Sequence, residues 1–100
     1  MAWKVKLFSE AQKDFAQLDG SVRKLVLKQL VKLETDPFYG DVLGNKAGFD
    51  LTGYFKLYAD NKRIRIVYRI VASVIEVIAI DKREDMEVYK IAFKRIQSME

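Results

Sequence analysis

The chain has 100 residues, half of them hydrophobic, with one proline and a formal net charge of +4. That length holds one core, read here as a single domain over residues 1–100, and the composition excludes a disordered chain. Cysteine and histidine are both absent, which excludes disulfides, thiol nucleophiles and Ser-His pairs and leaves carboxylates alone to build any zinc site.

Apolar runs stay well short of the roughly 18 residues of a membrane span. Met1-Ala2-Trp3-Lys4-Val5-Lys6 lacks the charged-then-apolar plan of a leader, so cytoplasmic residence is expected. Trp3 to Phe8 alternates apolar and basic residues and predicts an opening strand. Ser9 with Gln12 three residues on fits a capping box for a short helix carrying Ala11, Phe15 and Leu18 on one side. After Asp19-Gly20, Ser21 is expected to cap a longer helix. Its Val22, Leu25, Val26, Leu30 and Leu33 follow helical spacing, with Lys24, Lys28 and Lys32 outside. Thr35-Asp36-Pro37 ends it. Residues 36–50 read as a loop with Phe38, Tyr39 and Phe49 tucked against the core.

Three further strands follow. The first runs from Leu51 to Tyr58 and turns at Ala59-Asp60-Asn61-Lys62. The second runs from Arg63 to Val71. The third, Val74 to Ile80, is apolar apart from Glu76 and so reads as central. A charged connection over Asp81–Asp85 leads to a last helix, Met86 to Ile96, with Val88, Tyr89, Ala92, Phe93 and Ile96 inward. The expected fold is α+β: a mostly antiparallel four-stranded sheet in the order β-α-α-β-β-β-α. Two N-terminal helices cover one face, a C-terminal helix completes the chain, and the other sheet face stays open.

The charge is sorted by strand face. Residues 56–69 hold five basic side chains (Lys56, Lys62, Arg63, Arg65, Arg69) against Asp60, whereas residues 1–36 mix seven basic with five acidic. Period-two alternation puts Tyr54, Lys56, Tyr58, Arg63, Arg65 and Arg69 on one face, opposite Phe55, Leu57, Ile64, Ile66, Tyr68 and Ile70. A cationic face interleaved with aromatic rings suits a polyanion whose bases stack. A solvated strand face is the plainer alternative.

The order and spacing of these pieces resemble the RelE/ParE toxin superfamily, the small toxins of toxin–antitoxin pairs. The resemblance rests on the helical hairpin ending near Asp36-Pro37, then Leu51-Thr52-Gly53-Tyr54-Phe55-Lys56-Leu57 and Arg65-Ile66-Val67-Tyr68. It continues through Val77-Ile78-Ala79-Ile80-Asp81-Lys82-Arg83-Glu84 and Val88-Tyr89. RelE-like members cut messenger RNA in the ribosomal A site; ParE-like members poison DNA gyrase. Lys56, Arg65, Arg83 and Tyr89 match the nuclease pattern, and Tyr58 replaces its second lysine. The resemblance thus implies a metal-independent endoribonuclease with Lys56, Arg65, Arg83 and Tyr89 catalytic. Tyr54, Tyr58, Lys62, Arg63 and Arg69 are expected to bind RNA, and no cofactor or metal is needed.

In such a reaction the ribose 2′-OH attacks the adjacent phosphate. Lys56 would act as base with its pKa brought down by nearby guanidinium groups from the usual value near 10.4. Arg65 would neutralise the phosphorane and Arg83 support the leaving 5′-oxygen. Tyr89 would stack on a base or orient the 2′-OH. Each residue also has a plainer role. Lys56 reads as an exposed strand lysine, and Arg65 as partner of a carboxylate such as Glu76. Arg83 reads as salt-bridged among Asp81, Glu84, Asp85 and Glu87, and Tyr89 as a core anchor.

The resemblance implies a cognate antitoxin that covers the basic sheet face or displaces the last helix, the ribosome and its message as targets, and DNA bound only through the antitoxin. Two other classes stay open: a gyrase inhibitor without chemistry of its own, and a decayed toxin that only binds antitoxin or RNA.

Overall fold

The computed structural model describes residues 3–46, 48–82 and 87–99. In chain order the elements are β1 (Lys4–Leu7), α1 (Ser9–Ala16), α2 (Gly20–Thr35), β2 (Asp41–Val42), β3 (Asn45–Lys46), β4 (Phe49–Asp50), β5 (Tyr54–Ala59), β6 (Ile64–Val71), β7 (Val74–Lys82) and α3 (Glu87–Met99). The main sheet has the order β1-β7-β6-β5-β2, and β3 pairs with β4 in a separate ribbon. β1 lies parallel to β7; the other main-sheet pairs are antiparallel. The α+β class and the four long strands agree with the sequence reading, except that β5 starts at Tyr54 rather than Leu51. Segment 36–50, read as loop, adds β2 at the sheet edge together with the β3–β4 ribbon. Two-residue strands are too short to show alternation, so no periodic signal marked them.

One face of the sheet packs Phe55, Leu57, Ile64, Ile66, Tyr68, Ile75, Val77 and Ile80 against Ala11 of α1 and Val26, Leu30 and Leu33 of α2. Full burial of each such large side chain stabilises by about 1.5–3 kcal/mol. The opposite face, expected to be open, is partly covered: Val67, Ile78 and Ala79 meet Val88, Tyr89, Ala92 and Ile96 of α3, beside Leu43 and Leu51. The stripe on α3 explains the difference, since an amphipathic helix must bury it and the hairpin already occupies the first face. A bulge serves both layers. Val67 pairs with Ala79 but Tyr68 with Val77, so Ile78 is the extra residue and joins Ala79 toward α3.

Helix ends differ from expectation in their caps. Phe8 and Asp19 occupy the cap positions, in place of Ser9 and Ser21, and neither makes a side-chain capping bond. At the first helix, Gln12 Nε2 instead donates to Leu7 O at 3.0 Å. The third helix is tied down far from its start. Arg95 donates to both oxygens of Asp14, at 2.6 and 3.1 Å, and to Ile78 O at 3.0 Å. Asp14 also accepts the Ile80 N–H at 3.0 Å, so one carboxylate joins α1, β7 and α3. Among the described residues no helix is long and apolar enough to cross a membrane.

Tyr68 fixes the connection before β2. Its hydroxyl donates to Pro37 O at 2.9 Å and accepts the Gly40 N–H at 3.0 Å, while its ring stacks on Phe55 at 5.2 Å. Only glycine fits at position 40, where a Cβ would stand 2.5 Å from Lys56 O and 2.6 Å from the Tyr68 hydroxyl. Of the three aromatics expected to tuck in, Phe49 does, 5.1 Å from the Phe93 ring. Phe38 is 63% exposed and Tyr39 48%. Burial pushes the Tyr68 phenol up to about 12 against the Gly40 bond, with Asp36 and Asp41 adding to the rise. The folded state therefore favours the neutral phenol, and stability present below pH ~10 is lost as pH climbs through about 12. We expect alkaline urea titrations to show this loss, up to roughly 3 kcal/mol, in the parent but not in Tyr68→Phe. That variant starts about 1–3 kcal/mol lower because Gly40 N–H and Pro37 C=O lose their partner.

Candidate functional site

The β5–β6 register sets Tyr54 opposite Arg69, Lys56 opposite Val67 and Tyr58 opposite Arg65, so the basic side chains share the α3 side of the sheet. Along that side they form two clusters rather than one field. Arg65 and Arg69 stand four residues apart on β6, about 13 Å at the usual strand rise.

The first cluster is built around the Tyr58 ring. Lys56 Nζ lies 5.2 Å from its centroid, Arg65 Cζ 5.7 Å and Lys62 Nζ 5.9 Å. Lys56 Nζ also donates to the Tyr58 hydroxyl at 3.3 Å. Arg65 also meets the Tyr89 ring at 5.0 Å, so its guanidinium contacts two phenol rings, and the residue is only 6% exposed. Tyr89 comes from the first turns of α3 and is 1% exposed, a ring that supports Arg65. Lys62 is brought in by a turn in which Asp60, Asn61 and Lys62 have φ of 52°, 54° and 69°. Asp and Asn tolerate that left-handed region; a lysine there carries strain, which the hairpin holds in place. Two carboxylates flank the cluster by register: Asp81 faces Arg65 across β6–β7, and Asp41 faces Lys56 across β2–β5.

The second cluster centres on Arg69. Its Nε donates to Glu76 at 2.7 Å and its Nη1 to the Tyr54 hydroxyl at 3.1 Å, with the Phe8 ring 5.7 Å away. Burial works against the charge, yet the Glu76 and Tyr54 bonds hold the guanidinium above its ordinary pKa. Arg69 lines a cleft of about 710 Å³ with Lys6, Phe8, Lys94 and Arg95. Glu76 thus pairs with Arg69, and not with Arg65 as one sequence alternative had it.

Arg63 does not join the cationic face. It lies in the turn before β6, 3.9 Å from Asp60, and lines a cleft at the α1–α2 junction with Leu18, Asp19 and Lys82. The alternation counted from Arg65 back to Arg63 fails because the strand begins at Ile64. Arg83 lies outside the described residues. Among the described residues no three carboxylates gather into a metal-binding group. Sequence reasoning missed Asp14 and Arg95, which position the helix carrying Tyr89; both read as ordinary surface charges on helices.

Ammonium and guanidinium groups around a neutral phenol suit an anionic ligand, and the forked Arg65 suits a phosphate. No protein-family model matches the chain, and no curated sequence does. Solved structures do. A double arginine-to-alanine mutant of the E. coli toxin RelE, in the free state, is 28% identical with a TM-score of 0.77, over 96% of this chain and 99% of that one. The isolated E. coli RelE toxin is 27% identical with a TM-score of 0.69, over 95% and 99%. The RelBE2 toxin–antitoxin complex of Mycobacterium tuberculosis contains a chain 22% identical, TM-score 0.68, over 83% and 100%, a likeness of fold.

Proposed function

We infer that this chain, RelE-like in fold over nearly its whole length, is the toxin of a toxin–antitoxin pair that cleaves messenger RNA in the ribosomal A site. The observation that carries this reading is the cluster of Lys56, Tyr58, Lys62 and Arg65 on one sheet face, with Arg65 against the Tyr58 and Tyr89 rings. In this reading Lys56 takes the proton of the ribose 2′-OH, which attacks the neighbouring phosphorus. Arg65 offers its fork to the non-bridging oxygens as charge builds on the phosphorane. Tyr89 keeps that guanidinium oriented, and Arg83 adds positive charge near the leaving 5′-oxygen. Tyr58 and Lys62 contact the message, with Tyr54 and Arg69 at the far end of the face. The ribosome holds the strand in line, and orientation of this kind is worth about 7–11 kcal/mol. Residence in the cytoplasm follows from a ribosomal target.

Similar chains occur in complexes with RelB-type antitoxins. We extend that partnership to this chain: an antitoxin segment bearing carboxylates masks the Lys56–Arg65 cluster. The test is purified protein added to ribosomes that hold a defined message and an empty A site, with message ends mapped by primer extension. We expect a new 5′ end inside the A-site codon, lost when the antitoxin is supplied. An intact message under these conditions overturns the nuclease reading and directs attention to gyrase.

A further inference from the structure

We propose that Tyr58 protonates the leaving 5′-oxygen and is itself reprotonated by Lys56, so that these two side chains carry one proton from the 2′-hydroxyl to the leaving group. The inference rests on the nuclease reading above and deepens it, because it gives the residue that departs from the RelE-like pattern a chemical task. An ammonium has three donors and no acceptor, so the 3.3 Å contact runs from Lys56 N–H to the Tyr58 oxygen. A phenol both accepts and donates. Whatever takes the Tyr58 proton, Lys56 stands behind it ready to replace that proton.

The cycle closes with atoms and charges balanced. Lys56 first gives its extra proton to solvent; the free amine then removes the 2′-OH proton as the 2′-oxygen bonds to phosphorus, giving an ammonium and a phosphorane. The bond from phosphorus to the 5′-oxygen then breaks, its electron pair staying on that oxygen, which takes the Tyr58 proton. The phenolate recovers a proton from the Lys56 ammonium. A 2′,3′-cyclic phosphate and a 5′-hydroxyl leave, and the free amine and the phenol are restored. Arg65 and Lys62, 5.7 and 5.9 Å from the Tyr58 ring, stabilise the transient phenolate.

The test compares the parent and Tyr58→Phe on ribosomes with two messages. One is ordinary RNA; the other has sulfur in place of the bridging 5′-oxygen at the scissile phosphate, a leaving group that departs without a proton. Tyr58→Phe should cut the ordinary message at least about 100-fold more slowly, as loss of a general acid does, and the sulfur message within about threefold of the parent. Rapid cutting of the sulfur message also certifies that the variant is folded. Equal slowing on both messages, or no slowing on the ordinary one, overturns the relay while leaving the nuclease standing. A parent protein that leaves both messages intact overturns the nuclease reading and the relay with it.

Discussion

Arg65→Ala should lower A-site cleavage by about 10²–10³-fold, the loss seen when a preorganised donor to a developing anion is removed. The effect is expected to be large because Arg65 is held before substrate arrives: it is 6% exposed, with Tyr58 and Tyr89 rings 5.7 and 5.0 Å from its guanidinium carbon. Little side-chain freedom remains to be lost when a phosphate is bound, so most of the interaction is available to the transition state. Arg65→Lys keeps a cation but cannot make two parallel bonds, and should recover only part of the loss. Single-turnover cleavage on programmed ribosomes reads both variants, with urea midpoints as the control for folding. A lysine variant as active as the parent would mean that charge alone matters and that the two-ring contact is packing.

Asp14→Ala should be the most damaging substitution of a side chain remote from the cluster. It removes both bonds to Arg95 and leaves the Ile80 N–H without its acceptor. Asp14 and Arg95 keep only 19% and 20% of their side-chain surface exposed, so the cost should be about 3 kcal/mol, the low end for breaking a buried pair. Arg95 retains its bond to Ile78 O, which limits the damage to one end of α3. Because α3 also carries Tyr89, cleavage should fall together with the urea midpoint. Asp14→Asn preserves one acceptor oxygen and should sit between the two. A midpoint for Asp14→Ala within about 0.5 kcal/mol of the parent, the range of an ordinary surface change, would show that packing alone seats the helix.

The features legible in the sequence were those written in a repeated period. Alternation in 54–58 and 64–69 placed Lys56, Tyr58, Arg65 and Arg69 on one face, and the register confirms that side for all four. Helical spacing identified the inner faces of α2 and α3, except for Leu25, which is exposed. What escaped has no period. Strands β2, β3 and β4 are two residues each, and Asp14 finds Arg95 from 81 positions away. Arg63 was misplaced because alternation says nothing about where a strand starts. The expectation of an open face failed for a related reason: a stripe on the last helix shows that it must pack, but not against which layer. Tyr89 was assigned from the resemblance, and its burial turns attention from contact with RNA to support of Arg65.

The extra residue in β7 has a consequence for how this chain tolerates changes in length. Downstream of Ile78 the parity of the strand is reversed, which is why Asp81 stands beside Arg65 and Lys82 turns toward the α1–α2 junction. Deleting Ile78 alone would restore an unbroken alternation and leave every later pair in place, with Asp81 still beside Arg65 and Lys82 still on the other face. Deleting Ile78 and Ala79 together would exchange the two, setting a lysine against a buried arginine and an aspartate beside the apolar layer. Related sequences that work by the same arrangement should therefore keep the extra residue or lose it singly, a constraint imposed by the geometry of the pleat before any chemistry is considered.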